Sequence, residues 1–291
     1  MLKNAVFFIF YRLFSAFPLT FLHFLGRVIG NIIFFLPNRS KKVTKTNIMM
    51  CFPNESNAFI RDLVRNSLIE SSKTLLETPK IWKLNKQGIG LKFEVVNEGP
   101  LLASLQKKKG VVLFTPHLGN VEVMINYLGQ KFNPVIPYKV SDNAALESFI
   151  KSSRESAGAK MVPASISGVR AVLKELKKCG FISIASDQVP TNKKNGLISK
   201  FFGVPSLSTT LVHSLASKVD CPVHAITCIR KKGGFFKILF SNELEDFCKL
   251  SSQEGVDTMN KELEKCIMKA PGQYAWEYKK FKHTELIDPY S

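Results

Sequence analysis

Between residues 91 and 269, short apolar runs rich in Val, Ile and Phe alternate with longer amphipathic stretches, and this alternation restricts the chain to layered α/β architecture. The strand-like runs are LKFEVV (91–96), VVLFT (111–115), FISIAS (181–186) and the segments around 222–230 and 235–240. Helical spacing covers 144–157, 167–178, 209–218 and 256–269, and an earlier helix is expected over 56–77, closed by Pro79. The expected fold is therefore α/β, with a mixed, largely parallel central sheet flanked by helices and an N-terminal hydrophobic membrane helix ahead of it.

That leading segment, residues 5–36, is rich in Phe, Leu and Ile but is interrupted by Arg12, Pro18, His23 and Arg27. No charge-free run reaches the roughly 18 residues of a simple bilayer span. Arg12, Ala16, Thr20, His23, Arg27 and Asn31 recur at helical steps and trace one narrow polar stripe, as expected of a helix lying in the membrane interface or crossing at a tilt. The apolar stretch is too long for a signal peptide and is followed by LPNRSKK rather than a small-residue cleavage site, so a retained anchor is expected. The chain divides into an anchoring segment, 1–36, and an α/β domain, 37–291.

Charge points the same way. The chain carries 41 Lys and Arg against 23 Asp and Glu, a formal net charge of +18. Seven of the basic residues (Lys3, Arg12, Arg27, Arg39, Lys41, Lys42 and Lys45) precede the first acidic one, Glu55. Such a distribution suits an anionic partner, and a cluster just after the greasy segment would hold the domain on the cytoplasmic side. No nucleic-acid-binding motif accompanies the charge, so nucleic acid is not an expected partner. Six scattered cysteines without a C-x-x-C pair suit a reducing compartment. Cys221, His224 and Cys228 have a metal-like spacing, but they lie in CPVHAITCIR, which reads as a buried strand; no metal is expected.

Chemistry concentrates in GVVLFTPHLGNVEVMINYLGQ (110–130), a buried strand, a turn containing Pro116, then an amphipathic helix. His117 stands in the turn, where open α/β sheets gather their active groups. Glu122 follows five residues later and is expected to reach His117 because the histidine sits ahead of the helix. A carboxylate on one ring nitrogen fixes the tautomer and leaves the other nitrogen free to take a proton. A second such spacing, His283 and Asp288, lies in the polar tail with no strand before it and is given no role. The chain has no G-x-S-x-G, Walker or G-x-G-x-x-G sequence, so serine hydrolysis, nucleotide hydrolysis and dinucleotide redox chemistry lose their usual support.

The stretch TPHLGNVE resembles the histidine motif of the bacterial lipid A biosynthesis late acyltransferases, the lauroyl and myristoyl transferases of the outer-membrane glycolipid. Similar to that family are also NIMMCFP (47–53), Glu77 in LLETPKIW, Arg154 in SSRESAGA, DQVP (187–190), KFFGVPSLST (200–209) and YAWEYKKFK (274–282). The resemblance implies transfer of a fatty acyl chain from acyl carrier protein to a hydroxyl of a lipid A precursor at the inner membrane, with the catalytic domain on the cytoplasmic face. It implies an acyl carrier protein thioester as co-substrate and no further cofactor. Partners are then acyl carrier protein, the anionic glycolipid acceptor and inner-membrane lipids.

Carried over by position, His117 is the base and Glu122 its partner. Arg154 is a cation near the thioester oxyanion or an anionic substrate group, and helix-start amides near Gly119 are further oxyanion donors. Asp187 and Gln188 follow a strand end at the same edge as His117; Asp187 could equally be a turn cap. Many members carry Trp where this chain has Val121, and an Arg-rich ending in place of Glu277, Tyr278, Lys279 and Lys280. Alternatives are acylation of another membrane lipid, such as a lysophospholipid, from acyl carrier protein or coenzyme A, and a non-catalytic basic membrane-bound binding protein.

Overall fold

In the computed structural model, residues 2–88, 90–282 and 289–290 are described, so His283 and Asp288 lie outside the described residues. Seven strands form one sheet in the order β1 (Phe93–Val96), β9 (Phe236–Phe240), β8 (Val223–Arg230), β2 (Val111–Thr115), β5 (Phe181–Ala185), β3 (Val135–Tyr138), β4 (Lys160–Pro163). Every neighbouring pair is parallel except β8 with β9. The fold is thus a mixed α/β sandwich whose central strands are parallel.

Strand β2 is buried along its whole length, as its unbroken apolar sequence requires of a strand covered on both faces. Its side chains alternate between two cores. Val112 and Phe114 join the larger cluster with Ile48, Leu68, Val212 and Trp276, while Val111 and Leu113 join Ile81, Leu101, Val123 and Leu128 on the opposite face.

The N-terminal segment forms two helices, α1 (Leu2–Ala16) and α2 (Leu19–Phe35), separated at Pro18, which lacks the N–H to continue the ladder. Helix α2 buries Leu22, Gly26, Gly30 and Phe34 against α4. A side chain at Gly26 or Gly30 would collide with the α4 backbone at Lys73 or Ile69, so the two glycines set how closely the helices approach. The polar stripe expected along the helix is partly internal: His23 Nε2 lies 2.5 Å from Glu77 Oε2, and Asn31 Oδ1 accepts from Arg65 Nε at 2.7 Å. Among the described residues no single helix is long and apolar enough to cross a membrane; α2 and α3 (Arg39–Cys51) pass that test only as a pair bent by 83°.

Helix α4 (Asn57–Gln87) begins on Ser56, whose Oγ accepts from Phe59 N at 3.1 Å. It does not end at Pro79, where the sequence predicts a stop, but runs on to Gly88. The proline deprives only Leu75, an exposed residue, of a helical donor, and burial of Leu76, Glu77, Ile81 and Trp82 on either side of it holds the helix in place. This helix spans the back of the sheet from α2 to the turn after β2.

The remaining helices are α5 (Gly99–Gln106), α6 (Val121–Phe132), α7 (Ala144–Glu155), α8 (Ile166–Lys177), α9 (Leu211–Val219) and α10 (Ser252–Met268). A separate antiparallel hairpin, β6 (Gly196–Phe201) and β7 (Val204–Thr209), packs on α10. The stretch with metal-like spacing is strand β8, as its composition predicts; His224 is buried there between Ser104 Oγ, 2.8 Å from Nε2, and the Ser241 carbonyl, 3.2 Å from Nδ1. Ser104 also donates to Glu243 Oε2 at 2.7 Å. Serine and imidazole are both sealed from solvent, so this contact ties α5 to the sheet and offers no nucleophile.

Candidate active site

Strands β2 and β5 are parallel neighbours in the register Thr115↔Ala185, so the turns that follow them emerge side by side at the carboxyl edge of the sheet. The first turn carries His117 and the second Asp187. His117 Nδ1 lies 2.7 Å from Asp187 Oδ1, and the His117 backbone N–H donates to Asp187 Oδ2 at 3.1 Å. A carboxylate can only accept, so Nδ1 carries the proton and Nε2 is left as the basic nitrogen. Asp187 is buried, whereas the His117 side chain keeps 32% of its surface exposed. Exposed Gln188 places its side-chain nitrogen 3.5 Å from Nε2.

Burial disfavours charge on His117, but the Asp187 carboxylate beside it, with a smaller contribution from Glu277, outweighs that and raises its pKa above the ordinary histidine value. Burial would likewise raise Asp187, yet the imidazole and the backbone N–H of His117 hold it below the usual carboxylate range. Each group favours the charged form of the other.

The expected pairing of His117 with Glu122 is not what the structure holds. Asn120 caps α6, its Oδ1 accepting from Glu122 N at 2.8 Å, which turns the Glu122 side chain away from the His117 ring and toward α4 and α7. There Glu122 accepts from Trp82 Nε1 at 2.8 Å and from Arg154 Nη2 at 2.6 Å and Nε at 3.1 Å. Arg154 is thereby held along one edge of its guanidinium, and its charge still reaches His117, where it opposes protonation. Gly119 supplies no free amide, because its N–H donates to the Gln273 carbonyl at 2.9 Å. The role of Gly119 is conformational: φ is +64°, and a Cβ there would run into the Cys228 carbonyl on β8.

Glu77, quoted from the sequence without a role, fixes this turn from behind together with Arg230, Glu70 and Thr74, which sequence reasoning left out. Glu77, fully buried on α4, accepts from Asn120 Nδ2 at 2.8 Å and forms a bidentate ion pair with Arg230 at the end of β8. Arg230 Nη1 also donates to Glu70 Oε2 at 2.6 Å, and Nη2 to Thr74 Oγ1 at 2.6 Å; Thr74 in turn donates to the Gly119 carbonyl at 3.0 Å. Burial pushes the Glu77 carboxyl up, but Arg230 and His23 prevail and hold it down at about 2. A lone arginine closing an eight-residue buried strand is the sequence signal that a buried partner carboxylate exists.

The C-terminal segment completes the frame. Ala275 N donates to the His117 carbonyl at 3.0 Å, and Val189 N donates to Tyr278 Oη at 3.0 Å. Lys280 is buried 3.4 Å from Ser208 Oγ and above the Phe201 ring; burial lowers its pKa to about 8 against the pull of Asp187.

A parallel-sheet edge bearing a carboxylate-backed imidazole and a clamped arginine is an arrangement suited to moving a proton. The chain matches the model of the bacterial lipid A biosynthesis acyltransferase family over residues 2–283 and belongs to that family. It is 24% identical over 267 residues to the lipid A biosynthesis palmitoleoyltransferase of Escherichia coli (strain K12), covering 91% of this chain and 86% of that protein. A lipid A biosynthesis lauroyltransferase of the same organism is 23% identical over 270 residues with the same coverage, and a lipid A biosynthesis acyltransferase of Shigella flexneri is 24% identical over 267 residues. The protein is an acyltransferase of lipid A biosynthesis.

Proposed function

We propose that the protein moves a fatty acyl chain from an acyl carrier protein thioester to a hydroxyl of a lipid A precursor at the cytoplasmic face of the inner membrane, with His117 as general base. The observation that carries this reading is a part-exposed imidazole whose Nδ1 is held by buried Asp187, which leaves Nε2 as the basic nitrogen. In the reaction, Nε2 takes the proton of the acceptor hydroxyl as its oxygen attacks the thioester carbonyl. The imidazolium is stabilised by Asp187, and its proton passes to the departing thiolate. Arg154, clamped by Glu122, is the cation for the oxyanion, and the Gln188 amide beside Nε2 is a second donor. In this scheme Glu122 serves the reaction through Arg154 instead of through the imidazole. Purified protein given an acyl carrier protein thioester and a lipid A precursor is expected to add one acyl chain to the glycolipid, read as a single mass increment; no increment would overturn the reading.

Helices α1 and α2 support attachment to a membrane surface. Opposite the face that packs on α4, α2 presents Phe21, Phe24, Val28, Ile32 and Phe35, with Phe35 68% exposed, and α1 adds Val6, Ile9 and Leu13. This row of apolar side chains, beside the basic residues Arg39, Lys42 and Lys45, fits an acyl and headgroup boundary with anionic lipid, where each Lys or Arg near the surface contributes roughly 1 kcal/mol. Co-flotation with vesicles containing anionic phospholipid is expected to fall as salt rises and to fall further in Phe24→Glu/Phe35→Glu. Unchanged flotation of that variant at every salt concentration would count against this face.

A further inference from the structure

One carboxyl at the site has no part in the proton transfer just described. Residues 273–278 cross between the two catalytic turns, anchored to His117 through Ala275 and to residue 189 through Tyr278. Glu277 stands between these anchors. Its Oε2 is buried without a hydrogen-bond partner. A buried carboxyl oxygen left unpaired is costly unless a ligand supplies the missing donor. Glu277 follows two residues after Ala275, whose N–H holds the His117 carbonyl, and its charge favours the protonated imidazole.

The two substrates differ in what they can offer that oxygen. Around its reacting carbon a thioester presents only a carbonyl oxygen and a sulfur, both acceptors. A glycolipid acceptor presents further O–H donors around the attacking hydroxyl. We propose that Glu277 Oε2 receives a hydrogen bond from an O–H of the acceptor lipid adjacent to the hydroxyl that His117 deprotonates, which makes Glu277 a specificity-determining residue for the acceptor. The inference rests on the acyl-transfer reading above. Burial raises the Glu277 pKa, and a ligand donor at Oε2 would favour the ionised form.

The test compares full-length wild type, Glu277→Gln and Glu277→Leu, with acyl carrier protein thioester and lipid A precursor varied separately. In the leucine variant KM for the precursor is expected to rise about tenfold or more while KM for the thioester stays within about twofold. The glutamine variant, which keeps an accepting oxygen, is expected to stay within about threefold of wild type for both. In a His117→Ala background, Kd for the precursor should rise with Glu277→Leu by the same factor. An unchanged precursor KM and Kd in a folded leucine variant would overturn the inference, and so would an equal rise in KM for both substrates. Glu277→Ala takes the place of the leucine variant if the latter does not fold. Should wild type transfer no acyl chain, the acyl-transfer reading fails on that result, and the binding comparison alone decides the role of Glu277.

Discussion

Replacing His117 with alanine is expected to lower acyl-transfer turnover by at least about 10²-fold, and Asp187→Asn by a comparable factor. The two losses have different causes. Alanine removes the base, whereas asparagine leaves an imidazole whose tautomer is no longer fixed and whose protonated form is no longer stabilised. The pH profile separates them from a general disturbance. His117 acts only when neutral, and Asp187 raises its pKa, so the rate should climb with pH through a value above the ordinary histidine range near 6.5. In Asp187→Asn that limb should move to lower pH. Glu122→Gln should also cost turnover, by loosening Arg154, while leaving the limb near its wild-type position or moving it only slightly. An Asp187→Asn protein with an unmoved acid limb, or a Glu122→Gln protein that shifts it as far, would return Glu122 to the role its spacing suggests. The pair also bears on stability. The contribution of His117, whose folded pKa is raised, is present below the unfolded value and lost as pH rises through the folded one. That of Asp187, whose folded pKa is lowered, is present above its unfolded value and lost as pH falls through the folded one. Their mutual stabilisation is therefore greatest between the two.

Most of the sheet was legible because its strands are apolar runs bounded by turns, and the strand, turn and helix around His117 appear where the sequence predicts them. Strands β3 and β4 were not, since each has only four residues and contains a proline, which is tolerated beside and at the sheet edge. Helix α4 outran its predicted end because buried contacts outweighed the local cost of Pro79. The choice of carboxylate for His117 illustrates a more general limit. Spacing along the chain makes Glu122 the natural partner, but Asp187 lies seventy residues away and becomes adjacent only once β5 takes its place beside β2. Likewise Arg154 claims Glu122 from a separate helix, and Arg230 reaches Glu77 from the end of β8. Periodicity identifies the elements; strand order selects which charges meet, and strand order is not written in any local pattern.

Loss of the Glu77 carboxylate is expected to be the most destabilising change outside the apolar core. Glu77 is fully buried and Arg230 nearly so, and removing one partner of such a pair leaves an uncompensated charge, at a cost of about 3–5 kcal/mol. With its folded pKa held at about 2 against roughly 4.3 in the unfolded chain, the carboxyl contributes stability that is present above the unfolded value and lost as pH falls through about 2. Chemical denaturation of Glu77→Gln should thus show a much lower midpoint than wild type near neutral pH, with the gap closing in acid. Replacing both partners, Glu77→Met with Arg230→Leu, should recover much of that stability, since no charge is then buried alone. Activity should not recover with it. Asn120 Nδ2 would have lost its acceptor and the Gly119 carbonyl the Arg230–Thr74 brace, so the turn carrying His117 would be held less firmly in a protein that is nonetheless folded. A double variant that regained both stability and full turnover would show that this buried ion pair serves the fold alone. Stability without turnover would establish that α4 sets the geometry of the catalytic turn through Glu77.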